Sequence, residues 1–169
     1  MARFLKYSLK ILMYVFLLAS LLANLTYRNH VGTFCHDAKK RKSTKYIIIH
    51  HDAVPWDCTF DDVNRTHLQR WNDYFPYTFY IKDGKINQMR EIDQQTSHAF
   101  GYNENGIGIC IHTPDKGRLV SRIELGAVIW YLQIKYDIPR SRVLGHGETA
   151  ETECPAMDMD SLRLKCLTL

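Results

Sequence analysis

The chain has 169 residues, 46% hydrophobic and 24% charged, a composition ordinary for one globular domain with a single core. Its formal charge of +4 is local: Arg3, Lys6, Lys10 and Arg28 stand without an acid in residues 1–30, and the remainder carries 18 basic and 18 acidic side chains. A neutral body offers no basic face, so no nucleic-acid partner is expected.

In chain order, the first element is an apolar run of fifteen residues, Ile11 to Leu25, preceded by the three basic side chains of the amino terminus. This is the pattern of a secretory signal, with a basic segment before an apolar one. The run is short for a transmembrane helix, which needs about 20 residues. Cleavage after Ala23 would place Leu21 where a small residue is preferred. Residues 1–30 are therefore read as a signal peptide or an uncleaved signal anchor. Positive charge before the run orients the body outside the cytoplasm, in the periplasm or at the cell surface, anchored or secreted.

Residues 31–45 are polar and basic, lack apolar periodicity and read as a linker, Lys39-Lys40-Arg41-Lys42 being a solvated stretch of it. Residues 46–169 form the body. Tyr46-Ile47-Ile48-Ile49 is a continuous apolar, β-prone run, as for a strand buried on both faces. Residues 61–72 read as a helix with Val63, Leu68 and Trp71 inward. Residues 77–81 and 85–89 flank Lys82-Asp83-Gly84, a hairpin signal because Asp-Gly accepts positive φ. A strand is expected over 106–112, with His112 pointing to solvent. Val120, Ile123, Val128, Leu132 and Ile134 lie mostly at helical spacing within 119–136. A short strand over 142–146 and a helix over 162–167 close the chain. The order predicts an α/β fold, a mixed central sheet flanked by helices.

Three residues carry the chemistry. His50 ends the first body strand, His146 ends the short strand, and Cys154 follows in a loop with Pro155. Singly, they read as part of a surface histidine pair and as half of a disulfide. Together, two imidazoles and a thiolate are a ligand set for catalytic zinc, which takes three protein ligands and keeps one position open. The carboxyl ends of strands are where ligands gather in α/β sheets.

Six segments in order carry a further resemblance over roughly residues 46–165. They are Ile48-Ile49-His50-His51; His67 followed by Tyr77-Thr78-Phe79; Lys82-Asp83-Gly84 through Arg90; Ser97-His98-Ala99-Phe100-Gly101-Tyr102-Asn103; Ile107-Gly108-Ile109; and Gly145-His146 with Thr152-Glu153-Cys154-Pro155. On these the chain resembles the type-2 N-acetylmuramoyl-L-alanine amidases, the family shared by phage amidase-lysozymes and peptidoglycan recognition proteins. The resemblance implies an amidase-like single domain and zinc held by His50, His146 and Cys154. It implies Tyr77 and Thr152 as the polar groups beside the catalytic water, and His98 and Asn103 at the peptidoglycan cleft, with His98 open to a structural role instead. His67 is read as structural. The implied reaction is hydrolysis of the lactyl–L-alanine amide of peptidoglycan. The alternative is a non-catalytic peptidoglycan-binding module, which commonly lacks the cysteine that this chain keeps.

Departures from the family pattern are Gly147, where many members carry a large residue, Ala156, where glycine is common, and Cys110, where some branches carry glutamate. Without that glutamate no general base is evident. A disulfide-stabilised domain is the remaining reading of five cysteines. The resemblance places Cys58 where recognition proteins often hold a disulfide cysteine, but the usual near-sequence partner is missing, and Cys35 and Cys166 are the cysteines left to pair with it.

Overall fold

A computed structural model describes residues 27–33, 39–52, 54–55, 57–112 and 122–168. The apolar run 11–25, Cys35 and Val120 lie outside these residues, so the signal, anchor and Cys35–Cys58 expectations are not addressed by it. Among the described residues no helix is long and apolar enough to cross a membrane.

Six strands form one sheet in the order β1-β4-β3-β5-β2-β6: β1 (Tyr27–Asn29), β2 (Tyr46–His51), β3 (Phe79–Lys82), β4 (Lys85–Gln88), β5 (Gly106–Ile111) and β6 (Val143–Gly145). β2 runs parallel to β5 and β6, and β3 parallel to β5, while β4 turns back antiparallel to β3. The sheet is mixed, as the order of elements predicts. Its hairpin turns through Asp83 and Gly84 with φ of +52° and +67°, as a tight turn between twisted strands requires.

Alternation along the central strands makes two faces. Ile47, Ile49, Phe79, Ile81, Ile107, Ile109 and Ile111 point to one, where they meet Leu125, Val128, Ile129 and Leu132 of helix α2 (Arg122–Tyr136). This is the main core; each fully buried aliphatic side chain contributes about 1.5–3 kcal/mol. Helix α1 (Phe60–Trp71) covers the other face, where Phe60 and Val63 pack on Phe75, Tyr80, Met89 and Cys110. Thr59 and Asp62 close a reciprocal capping box at its start. Helix α3 (Met159–Arg163) begins three residues before the expected closing helix, because the Asp158 carboxylate accepts from the Asp160 and Ser161 amides and caps it there.

Four expectations are corrected. In α1, Leu68 and Trp71 are not inward but 39% and 59% exposed, and His67 is the buried residue of the helix. Residues expected to be leader or linker are tied to the body. Tyr27–Asn29 pairs with Ile86–Gln88, and Arg41, 8% exposed, donates to the Ile92 and Gln94 carbonyls, the latter at 2.8 Å. Side chains can anchor a segment that has no apolar period of its own. In α2, Ile123 and Ile134 are exposed, while Leu125 and Ile129 take the inner positions. His112 is not solvated: its side chain is 4% exposed, with Nδ1 2.7 Å from Asp52 Oδ2.

Candidate metal centre

The same alternation that sends Ile47 and Ile49 into the core turns His50 to the α1 side. His50 is 2% exposed and pairs in register with Cys110, which pairs in turn with Tyr80. His146 follows β6 directly and opens a single 3₁₀ turn, His146–Glu148. β6 lies next to β2, so both histidines reach the same rim at the carboxyl ends of parallel strands. The Gly145 amide donates to Glu148 at 2.7 Å, and Arg163 of α3 pairs with the same carboxylate at 2.9 Å. Glu148 therefore ties the His146 turn to the last helix.

Cys154 is brought back to this rim by a close approach of backbone. The Gly147 amide donates to the Cys154 carbonyl at 2.5 Å. A Cβ on Gly147 would sit 2.5 Å from the Thr152 carbonyl oxygen and 3.0 Å from that of Cys154. The large residue common there in the family has no room beside a loop placed this way. Ala156 adopts φ of +56°, the left-handed region that glycine enters freely, which explains the family's glycine; alanine there costs about 1–2 kcal/mol.

The outcome is convergence. One donor atom each from His50, His146 and Cys154 lies within 4.8 Å of the others, and among the described residues this is the one such group of three or more His, Cys, Asp or Glu. Cys154 Sγ is 3.9 Å from His50 Nδ1, and the His50 and His146 rings lie 4.5 Å apart. Tetrahedral zinc, with bonds of about 2.0–2.1 Å to nitrogen and about 2.3 Å to sulfur, sets its donors about 3.3–3.6 Å apart. The three side chains fit such an ion with small adjustments. His51 is not in the group, but its amide donates to Cys154 Sγ at 3.3 Å.

The electrostatics suit a metal held by neutral imidazoles. Burial, then neighbouring His98, His146 and His51, holds the His50 pKa well below the ordinary histidine value. Burial alone lowers that of His146. Burial raises the Cys154 thiol, opposed by the His51 amide and reinforced by Asp52, so metal binding there displaces a proton.

These groups make the metal-free protein sensitive to acid. Burial lowers His98 to about 3, from an ordinary value of 6.5. Between these values the unfolded chain binds more protons than the folded one. Stability is thus kept above pH 6.5 and is lost as pH falls toward about 3, by at most about 1.4 kcal/mol per pH unit for each such histidine. Urea midpoints taken with a chelator at about pH 7 and about pH 4.5 should differ, the acidic one being lower. Equal midpoints would contradict this environment.

The other expected site residues lie as follows. The half-buried Tyr77 ring is 5.1 Å from that of His50. Burial, then the Cys110 and Cys154 thiols, puts its phenol well above the ordinary tyrosine pKa, so it stays a donor. Thr152 is exposed, and its hydroxyl oxygen accepts from the Cys154 amide at 3.2 Å. Asn103 uses its side-chain oxygen within its own loop, accepting from the His98 and Ala99 amides at 3.0 and 2.8 Å. His98 is 7% exposed and stands behind His50. His67 bridges the Asp73 and Ser97 carbonyls, a structural position. The trio of Asp52, Tyr80 and His112 beside the centre was missed. Its signal was available: His112 lies two residues beyond Cys110 on the same face as His50.

A mixed sheet with this rim defines an α/β protein with a His-His-Cys group that could hold a metal ion. The family model described as N-acetylmuramoyl-L-alanine amidase matches residues 40–157, and the chain belongs to that family. It is 31% identical over 133 residues to the endolysin of Escherichia phage T7, spanning 72% of this chain and 86% of that one. It is 33% identical over 125 residues to peptidoglycan-recognition protein LB of Drosophila melanogaster, spanning 65% of this chain and 53% of that one. Among solved structures, N-acetylmuramoyl-L-alanine amidase LysC from Clostridium intestinale URNW superposes with a TM-score of 0.72 at 26% identity, over 83% of this chain and 96% of that one.

Proposed function

We propose that the protein is a zinc-dependent N-acetylmuramoyl-L-alanine amidase that hydrolyses the amide between the lactyl group of muramic acid and L-alanine in peptidoglycan. The observation that carries this is the convergence of His50, His146 and Cys154 on one strand rim beside Tyr77. Family membership and the endolysin relatives support the same reading. When bound, zinc supplies the Lewis acidity that activates water and polarises a carbonyl.

The chain's own residues do the rest. His50 and His146 present neutral ring nitrogens, and Cys154 presents the one anionic donor, its charge eased by the His51 amide. Tyr77 donates a hydrogen bond to the oxygen that gains charge as the amide carbonyl is attacked. Thr152, whose oxygen accepts from the Cys154 amide, keeps its hydroxyl hydrogen to donate toward the same cleft. Cys110 occupies the position where some relatives carry a carboxylate. Burial holds its thiol well above the ordinary cysteine range, so it is not a base near neutral pH. The leaving amine then takes its proton through water. Action is extracytoplasmic in this reading, with residues 11–25 as signal or membrane anchor ahead of the amidase domain.

The test is to incubate the full chain with peptidoglycan and follow new L-alanine amino termini by mass spectrometry, with and without a zinc chelator. Chelator-sensitive release is expected. Release indifferent to the chelator would overturn the role of zinc. No release from a zinc-loaded protein would overturn the amidase and leave the peptidoglycan-binding module.

A further inference from the structure

We propose that His98 is a positioning residue that fixes the tautomer of His50, so that the lone pair of His50 Nδ1 faces the metal. The inference rests on the reading of His50 as a zinc ligand. It follows from three groups in a row. His98 Nε2 lies 3.3 Å from the Gly106 carbonyl oxygen, and His98 Nδ1 lies 3.1 Å from His50 Nε2. A carbonyl oxygen only accepts, so His98 carries its hydrogen on Nε2. A neutral imidazole has one donor and one acceptor, which leaves His98 Nδ1 as the acceptor. It takes the hydrogen of His50 Nε2. His50 Nδ1 is then bare, and it is the atom 3.9 Å from Cys154 Sγ. The reverse pair of tautomers would set two lone pairs against each other at Gly106 and put a hydrogen on the coordinating atom of His50.

The surroundings hold His98 in this role. The two rings are nearly perpendicular, at 85° with centroids 5.2 Å apart, so an in-plane lone pair of one meets the edge of the other. Gly108 makes the niche, because a Cβ there would sit 2.8 Å from His98 Cγ. Asn103 fixes the loop from the other side through the His98 amide. Metal-bound histidines generally donate their second N–H to a carboxylate, a backbone carbonyl or water. Here the acceptor is a neutral ring, relayed to a carbonyl. It orients His50 without adding negative charge to a centre that already holds one thiolate.

The test has two parts. In the metal-free, unaltered full chain, two-bond 15N–1H correlation spectra of the imidazoles should show hydrogens on Nε2 of both His50 and His98. A hydrogen on His50 Nδ1 would overturn the inference, and this measurement does not depend on any variant folding. His98→Phe keeps a ring in the niche but removes the acceptor. It should weaken zinc binding, read by chelator competition, by about 10–100-fold, and His50 should lose its preference for the Nε2 hydrogen. A lower melting temperature with unchanged zinc affinity and an unchanged His50 tautomer would mean that His98 is structural only. Failure of the unaltered chain to bind zinc would overturn the ligand reading itself, and the inference with it.

Discussion

The Cys154→Ala chain is expected to lose bound zinc and peptidoglycan hydrolysis together, with turnover falling to the level of the unaltered protein held in chelator. Cys154 is the one donor of the three that becomes an anion, and without it two neutral imidazoles face a divalent ion alone. The side chain is half-buried and accepts the His51 amide at 3.3 Å, so its loss also leaves that donor without its sulfur. The loop itself should stay in place. Its approach to the rim is set by backbone, through the Gly147 amide and the Cys154 carbonyl at 2.5 Å, and alanine keeps both groups. Metal content by elemental analysis, read beside amide release, checks the result. Hydrolysis by a metal-free Cys154→Ala protein would refute it.

Tyr77→Phe separates binding from catalysis. Zinc content should be unchanged, because the ring packs against His50 while the phenol oxygen is not among the converging donors. The ring also meets Phe75 and Tyr80 at centroid distances of 6.4 Å each, contacts that phenylalanine retains. What disappears is a hydrogen-bond donor that burial keeps protonated. Removing one donor to a developing oxyanion costs about 10²–10³ in kcat. Loss of that order with an unaltered KM would place Tyr77 at the charge that appears during attack. An unchanged kcat would remove it from the mechanism.

Two of the three converging residues were legible because they follow a strong local signal. His50 directly follows a run of three isoleucines that reads as a buried strand, and His146 directly follows a short apolar strand. The hairpin was legible for a similar reason, since Asp83-Gly84 has few other uses. What escaped depends on partners far away in sequence. Tyr27–Asn29 is short and polar, and pairs with a hairpin edge about sixty residues later. Arg41 looks solvated until the carbonyls of Ile92 and Gln94 are placed around it. In Gly106 to His112, isoleucines fill one face and glycines part of the other, which disguised the fact that His112 shares its side with His50 and meets Asp52. Asn103 matched a family motif, but only the fold shows its oxygen turned back on the His98 and Ala99 amides. In α2, apolar residues stand on several sides, so spacing alone did not tell Ile123 from Leu125.

Ile49 and His50 are successive residues of β2 on opposite faces of the sheet, paired with Ile109 and Cys110 on β5, while Ile49 also meets Gly145 on β6. Sliding β2 by one position would exchange them, sending an imidazole among the side chains of α2 and an isoleucine to the rim. The oily side of the sheet thus proofreads the reactive side. A misthreaded strand would set His50 against Leu125 and Ile129, and the register that keeps Ile49 there is the one that aims His50 at the rim.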